Sequence, residues 1–229
     1  MLISINGWED DVKNCLAKEM GKGEQTRRLI VGTALDMAAQ VGLGGLTLGP
    51  LADTLRMSKS GVYGHFRSRD LLLAEVVRQY REDFEHHLLV KTPALLTAGD
   101  RLRALFVRWC ERLVREGAGC LYLRGPMEAA ALPPSVRDEL LAMTHALHAP
   151  LRARIVECMD NGVLHADCHP DQLIFELSGL MASLHHQTHF LKRGVGVACA
   201  VQGYERLIAS YRADAGAPAA RTAIKLQAA

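Results

Sequence analysis

No stretch of this 229-residue chain alternates apolar and polar residues in the period-two manner of a half-buried strand, and no run is long and apolar enough to span a bilayer. The expectation is an all-α, water-soluble protein. The opening MLISINGWEDD lacks the cationic start of a signal peptide and the arginine-rich amphipathic character of a transit sequence, which points to the cytoplasm. Six cysteines, at 15, 110, 120, 158, 168 and 199, have no regular spacing, so neither a disulfide scaffold nor a zinc ribbon organises the fold. Also missing are a G-x-S-x-G elbow, a glycine-rich phosphate loop closed by Lys-Ser/Thr, and a cysteine with an evident base. An enzyme is therefore not expected, and no cofactor is implied.

What is present is a 49% hydrophobic composition with a net charge of only +2, unevenly placed. Residues 21–70 carry seven basic side chains (Lys22, Arg27, Arg28, Arg56, Lys59, Arg67, Arg69) against four acidic ones, whereas residues 1–20 carry two against four. The basic excess surrounds the most patterned part of the chain, TLGPLADTLRMSKSGVYGHFRSR at 47–69. Thr47 is a good N-cap, its hydroxyl able to accept from a free backbone N–H, and Pro50 falls in the first turn, where no helical hydrogen bond is lost. Leu46 and Leu51 can close a hydrophobic staple, and Leu48, Leu51, Ala52 and Leu55 form one face. The signals then repeat: Ser58 is a second N-cap, Met57 and Val62 a second staple, and Val62 and Phe66 an inward pair. This second helix buries two side chains and contains Gly61 and Gly64, each costing about 1 kcal/mol relative to alanine. Such a helix makes sense as a surface that meets something else closely, with Lys59, Ser60 and Tyr63 offering a cation, a hydroxyl and a phenol to phosphates and base edges.

Residues 25–76 resemble the N-terminal domain of the tetracycline-repressor (TetR) family of transcriptional regulators. The resemblance rests on Thr47 opening the second helix, Leu51-Ala52 within it, Met57-Ser58 in the turn, G-V-Y-G-H-F at 61–66, and Ser68-Arg69-Asp70-Leu71-Leu72 opening a fourth helix. It implies a helix-turn-helix whose DNA contacts fall to Arg28, Thr47, Lys59, Ser60, Gly61, Tyr63, His65 and Arg69. Two positions depart from the pattern: Arg56 stands where a turn glycine is usual and calls for a left-handed backbone, and Gly64 replaces a bulkier residue, so no operator sequence carries over.

The rest of the chain reads as helices. Ile30, Ala34, Met37, Ala38 and Val41 form the stripe of a first helix that Gly42 stops. A long helix from Asp70 to about Leu89 links two domains, KTPALLTAG breaks it, and Asp100 caps the next. That helix carries Leu102, Leu105, Phe106, Trp109 and Leu113 inward and ends at Gly117. After the less regular CLYLRGPMEAA, a helix opens at Pro133-Pro134 and reaches Asn161-Gly162, with Leu140, Met143, Leu147, Leu151, Ile155 and Met159 inward and Pro150 as a bend. Pro170 then starts a helix with Leu173, Leu177, Leu180, Met181, Leu184 and Leu191 inward, and Val197 to Tyr211 supplies a partner.

The whole is an all-α fold of about nine helices: an extension at 1–20, a DNA-binding domain at 21–70, a ligand-binding and dimerisation domain at 71–212 and a tail at 213–229. Residues 1–20 are acidic and precede Met20, after which GKGEQTRRLI resembles a family N-terminus, so an upstream extension or a misassigned start is expected. By the resemblance, helices 170–193 and 197–211 pair two copies into a homodimer whose recognition helices meet successive major grooves of double-stranded DNA about 34–36 Å apart. A small apolar or amphipathic effector is expected among Phe106, Trp109, Cys110, Tyr122, Met127, Met143 and Met181, with Glu128, His145 and His148 able to orient a polar group. The alternative is a metal-responsive regulator. His185 and His189 have zinc-compatible spacing, with His165, His169, His186, Asp167 and Cys168 nearby, but no full H-E-x-x-H motif is present.

Overall fold

Ile30, Val31, Ala34 and Ala38 recur every three or four residues, and burying them makes helix α1, Lys22–Gly45. In the computed structural model, which describes residues 21–88, 97–116 and 119–213, eight more α-helices follow: α2 Leu48–Thr54, α3 Lys59–Phe66, α4 Arg69–Leu88, α5 Ala98–Glu116, α6 Leu121–Glu128, α7 Pro134–Asp160, α8 Pro170–His185 and α9 Gly196–Ser210. Among the described residues there is no strand, only an isolated bridge pairing Leu164 with Arg212. The expected extension at 1–20, the KTPALLTAG breaker at 91–99 as far as Leu96, the stop at Gly117 and the tail beyond 213 lie outside the described residues.

Helices α1 to α3 with the start of α4 form a small head, and α4 continues into a larger body where it packs along α7. Gly42, expected to stop α1, breaks it instead at φ +82° and ψ 166°, an angle pair suited to glycine, and a last short turn follows to Gly45. Val41, expected on the inner stripe, is 51% exposed, standing just before that break where the stripe ends. In the body, α5 buries Leu102, Leu105, Phe106, Trp109 and Leu113 as expected, and also Cys110. Asp100 is not its cap. Thr97 is, its Oγ1 accepting the Asp100 N–H at 3.1 Å while the Asp100 carboxylate accepts from Thr97 N and Oγ1 at 3.2 and 2.6 Å, a reciprocal capping box.

Helix α7 buries Leu140, Met143, Leu147, Leu151 and Ile155 on one stripe that passes Pro150 without ending. Pro170 occupies the first turn of α8, whose Leu173, Leu177, Met181 and Leu184 face the core. Leu191, expected inward, is 40% exposed, because the chain widens into a π-turn over His186–Phe190 that rotates the following residues away. Aromatic stacking closes the body: Phe106 on α5 lies 4.6 Å from Tyr204 on α9, centroid to centroid, and Phe84 on α4 lies 5.7 Å from Tyr122 on α6.

Candidate nucleic-acid interface

The turn between α2 and α3 sets the geometry of the head. Met57 N donates to Ala52 O at 2.9 Å and Arg56 N to Asp53 O at 3.1 Å, the two bonds of a Schellman ending. Arg56 sits at its left-handed position with φ 54°, as its place in the sequence requires. Ser58 then caps α3, its Oγ accepting the Gly61 N–H at 3.0 Å and pairing with Ser60 Oγ at 3.0 Å. A Cβ at residue 61 would lie 3.2 Å from that Ser58 oxygen, so glycine here leaves room for the cap. Beyond Gly64 nothing lies within 4 Å, and its missing side chain leaves the outer face of α3 open.

Val62 and Phe66 are buried while Lys59, Ser60, Tyr63 and Gly64 are exposed, and His65 is half-buried. Tyr63 is 47% exposed and off the inner stripe, available to a surface that meets α3. Lys59 leans over the start of α2, its Nζ 3.6 Å from where a Gly49 Cβ would stand. Thr47 precedes α2 with extended φ/ψ, but its hydroxyl makes no capping bond; it caps by backbone conformation alone and the exposed side chain stays available.

The arginines divide into two groups. Arg69, expected to meet a phosphate, is turned inward: Nε donates to Leu46 O at 2.7 Å and Nη2 to Leu43 O and Gly44 O at 3.1 and 2.8 Å. The α1 carbonyls freed by the break at Gly42 need donors, and a guanidinium at the first residue of α4 supplies them. Arg27 is likewise internal, donating to His65 O at 2.5 Å, pairing with Glu75 at 3.2 Å and lying 4.3 Å from the centre of the Phe66 ring. Arg28 is exposed and pairs with Glu24 at 3.5 Å, on a groove shared with Glu75 and Glu82. Arg67, left-handed at φ 58°, ends α3 on the exposed side.

A contact between body and head went unread in the sequence. Glu128, at the end of α6, accepts the Gly44 N–H at 2.9 Å and is held by Arg124 Nε at 2.7 Å. Arg124 reaches Ala39 O and Gln40 O at 3.5 and 3.4 Å. A Cβ at residue 42 would stand 2.4 Å from the Glu128 carboxylate, so the contact and the backbone angle both require glycine there. Residues 42–46, which lead directly into α2 and α3, are thus gripped by Arg69 from α4 and by Glu128 from α6. Glu128, expected to orient a ligand, points away from the body's interior.

Of the residues expected around an effector, Phe106, Trp109, Cys110, Tyr122, Met143 and Met181 are all buried in the body. Met127 is not among them: it is 83% exposed, on the outward side of α6 next to Pro126. Trp109 meets Tyr122 edge to face at 5.5 Å, and Tyr122 OH lies 3.3 Å from His148 Nε2. Burial pushes the Tyr122 phenol up to about 12, with Ser178 drawing it back somewhat. The His148 imidazole is held below its ordinary value by burial and then by His145 and Arg152. The His185 and His189 rings are 5.0 Å apart, yet His189 Nε2 faces Leu113 O at 3.3 Å, and among the described residues no group of three His, Cys, Asp or Glu is placed to hold a metal ion. The metal-responsive reading is not supported.

Two family models match the chain, the tetR family of bacterial regulatory proteins over residues 30–76 and the tetracyclin repressor-like C-terminal domain over residues 98–204. The chain belongs to the TetR family of transcriptional regulators. Family membership places it among DNA-binding transcription factors and not among enzymes. It is 24% identical over 148 residues to the HTH-type transcriptional repressor DhaR of Mycobacterium sp. (strain GP1), covering 64% of this chain and 74% of DhaR. A TetR regulator from Chloroflexus aurantiacus has the same fold at TM-score 0.73 and 18% identity, over 82% of this chain and 95% of that one. A transcriptional regulator from Saccharomonospora viridis, solved in complex with choline, matches at TM-score 0.65 and 25% identity, over 81% of this chain and 96% of that one. TetR regulators bind operator DNA as dimers and respond to small molecules. No described helix is long and apolar enough to cross a membrane.

Proposed function

We propose that this TetR regulator is a repressor that binds a near-palindromic operator as a homodimer and is released by a small molecule held in its body. The observation that carries the DNA-binding half is α3 itself: capped at both ends, anchored by two buried side chains, and open along the face that holds Lys59, Ser60, Tyr63 and Gly64. In this reading Lys59, Ser60 and Tyr63 meet base edges, His65 and the Gly61 backbone approach them, and Thr47 and Arg28 meet phosphates.

The dimer pairs through α8 and α9. The outer face of α8 carries exposed Phe175, Gly179 and Ala182, the π-turn after it exposes Phe190, and α9 adds exposed Val197, Ala198 and Cys199, small residues that let helices approach closely. The effector sits among the buried Phe106, Trp109, Cys110, Tyr122, Met143 and Met181. Its presence favours an arrangement in which α6 moves, and the Glu128–Gly44 contact passes that movement to the segment leading into α2. Reciprocity then requires operator and effector to weaken each other by one common factor, typically 1–3 kcal/mol.

Selection of duplexes bound by the purified protein tests the reading. A two-fold symmetric consensus is expected, bound by one dimer, and Tyr63→Ala should lose it while keeping the wild-type melting temperature and dimer. Enrichment of no sequence, or a Tyr63→Ala protein that reads the consensus unchanged, would overturn the assignment. Phe175→Glu should yield monomers in sedimentation; a dimer of wild-type stability would remove α8 from the interface.

A further inference from the structure

We propose that the seam between α5 and α8 receives an uncharged molecule bearing a hydrogen-bond acceptor, an aromatic or alicyclic ketone or alcohol in chemical class. This rests on the effector-responsive reading above and narrows it to one kind of ligand.

The seam holds polar atoms that the protein does not satisfy. Trp109 is fully buried and its indole Nε1–H, a group that can only donate, has no partner. Ser178 Oγ has the Tyr122 phenol as its one polar neighbour, at poor hydrogen-bond geometry, and His185 Nε2 is buried and unpartnered. Ser178 and His185 are seven residues apart on α8 with buried Met181 between them, so they share one face. Trp109 joins this group through Tyr122, whose ring it meets edge to face. One obligate donor and two groups able to donate or accept therefore line an otherwise apolar region.

Buried donors are ordinarily paired, and two unpaired nitrogens with a poorly paired hydroxyl along one seam point to a guest that pairs them. Its charge follows from what the region lacks. Among the described residues no buried side chain is charged, so an ion placed here would lose its hydration with no opposite charge to replace it. An aromatic cage for a quaternary ammonium is not offered either, because Phe84 and Tyr122 stack on each other with planes 9° apart. A carbonyl or hydroxyl oxygen, by contrast, accepts from Trp109 Nε1 and leaves the apolar remainder against Phe106, Met143 and Met181.

The test compares shape-matched probes on the full-length protein by ligand-observed NMR titration: acetophenone against ethylbenzene, cyclohexanone against methylcyclohexane, with choline and benzoate as charged probes. Each oxygenated probe should bind about ten-fold tighter than its hydrocarbon partner, the factor a hydrogen bond of ordinary net strength supplies. Trp109→Phe, which keeps a ring and removes the N–H, should bring that ratio close to one for at least one pair. Ser178→Ala serves in its place should the first variant fail to fold. Ratios near one in the wild type, ratios untouched by both variants, or choline or benzoate binding more tightly than the ketones would each overturn the proposal. Release of operator DNA by a charged molecule alone would overturn it and leave the effector-responsive reading standing. Probe binding that follows Trp109 but never alters DNA affinity would support the seam and sink that reading instead.

Discussion

The head and the body of this molecule are stabilised by different means. In the head, α2 buries only Leu51 and Ala52 and α3 only Val62 and Phe66, and much of the organisation comes from backbone ends: a Schellman turn, a serine cap and carbonyls collected by Arg69. In the body, α5 alone buries seven side chains, and stacked and edge-to-face aromatic rings tie α4, α5, α6 and α9 together. An element that leaves its outer side bare has little apolar surface to bury, so its definition shifts to directional hydrogen bonds. The body, whose helices bury continuous apolar stripes, is defined by volume.

Substitutions can break this contrast. The largest loss is expected for Trp109→Ala, which should lower global stability by about 3–5 kcal/mol in chemical denaturation, since a buried indole is replaced by a void. A change below 1 kcal/mol would mean that the aromatic cluster is not what holds the body. Next comes Arg69→Ala, which takes the donor from the Gly44 and Leu46 carbonyls and leaves Leu43 O only the Leu46 N–H, and should cost about 2–3 kcal/mol. Hydrogen exchange should localise that loss to α1–α3 and spare α5 to α9. Were protection to fall uniformly, head and body would be one cooperative unit.

Glu128→Gln should cost about 1 kcal/mol and raise exchange at Gly44, because the charge-assisted acceptor and its pairing with Arg124 are both weakened. Arg56→Gly is expected to stabilise the head by about 1 kcal/mol by relieving a left-handed arginine. A destabilised variant would show that the Arg56 side chain has a folding role beyond its backbone. The smallest effect on stability belongs to Lys59→Ala, expected within about 0.5 kcal/mol of wild type. Its consequence should instead be a relaxed sequence preference in the selection of bound duplexes, as expected of a side chain that meets base edges. Taken together, Arg69→Ala and Lys59→Ala separate an arginine that builds the head from a lysine that uses it.

The same contrast explains what could be read in the sequence. Ser58, the left-handed Arg56, and the inward pair Val62 and Phe66 are local signals, complete within a few residues, and each stands where its pattern implies. Arg69 resisted reading because its partners at 43, 44 and 46 lie more than twenty residues away and are carbonyls, which every residue has. Basic character alone suggested a phosphate. Glu128 and Gly44 are 84 positions apart, and nothing local to either announces the other. In the body the α5 stripe was plain, whereas Met127 was misplaced because Pro126 and the end of α6 turn it outward, and a short irregular helix gives too few repeats to fix a phase. Thr97 was overlooked as a cap because the acidic residue three positions on, its reciprocal partner, is itself a good cap.

The double grip on residues 42–46 bears on any attempt to exchange DNA heads between regulators. A graft joined at the sequence boundary near residue 70 would carry Arg27, Gly42, Gly44 and Arg69 with the donor head but leave Glu75, Arg124 and Glu128 with the recipient. The transplanted segment would then have a collar cut for another neck. Moving those seven positions as a set, two of them more than fifty residues beyond the head, is the smallest exchange that keeps the joint intact.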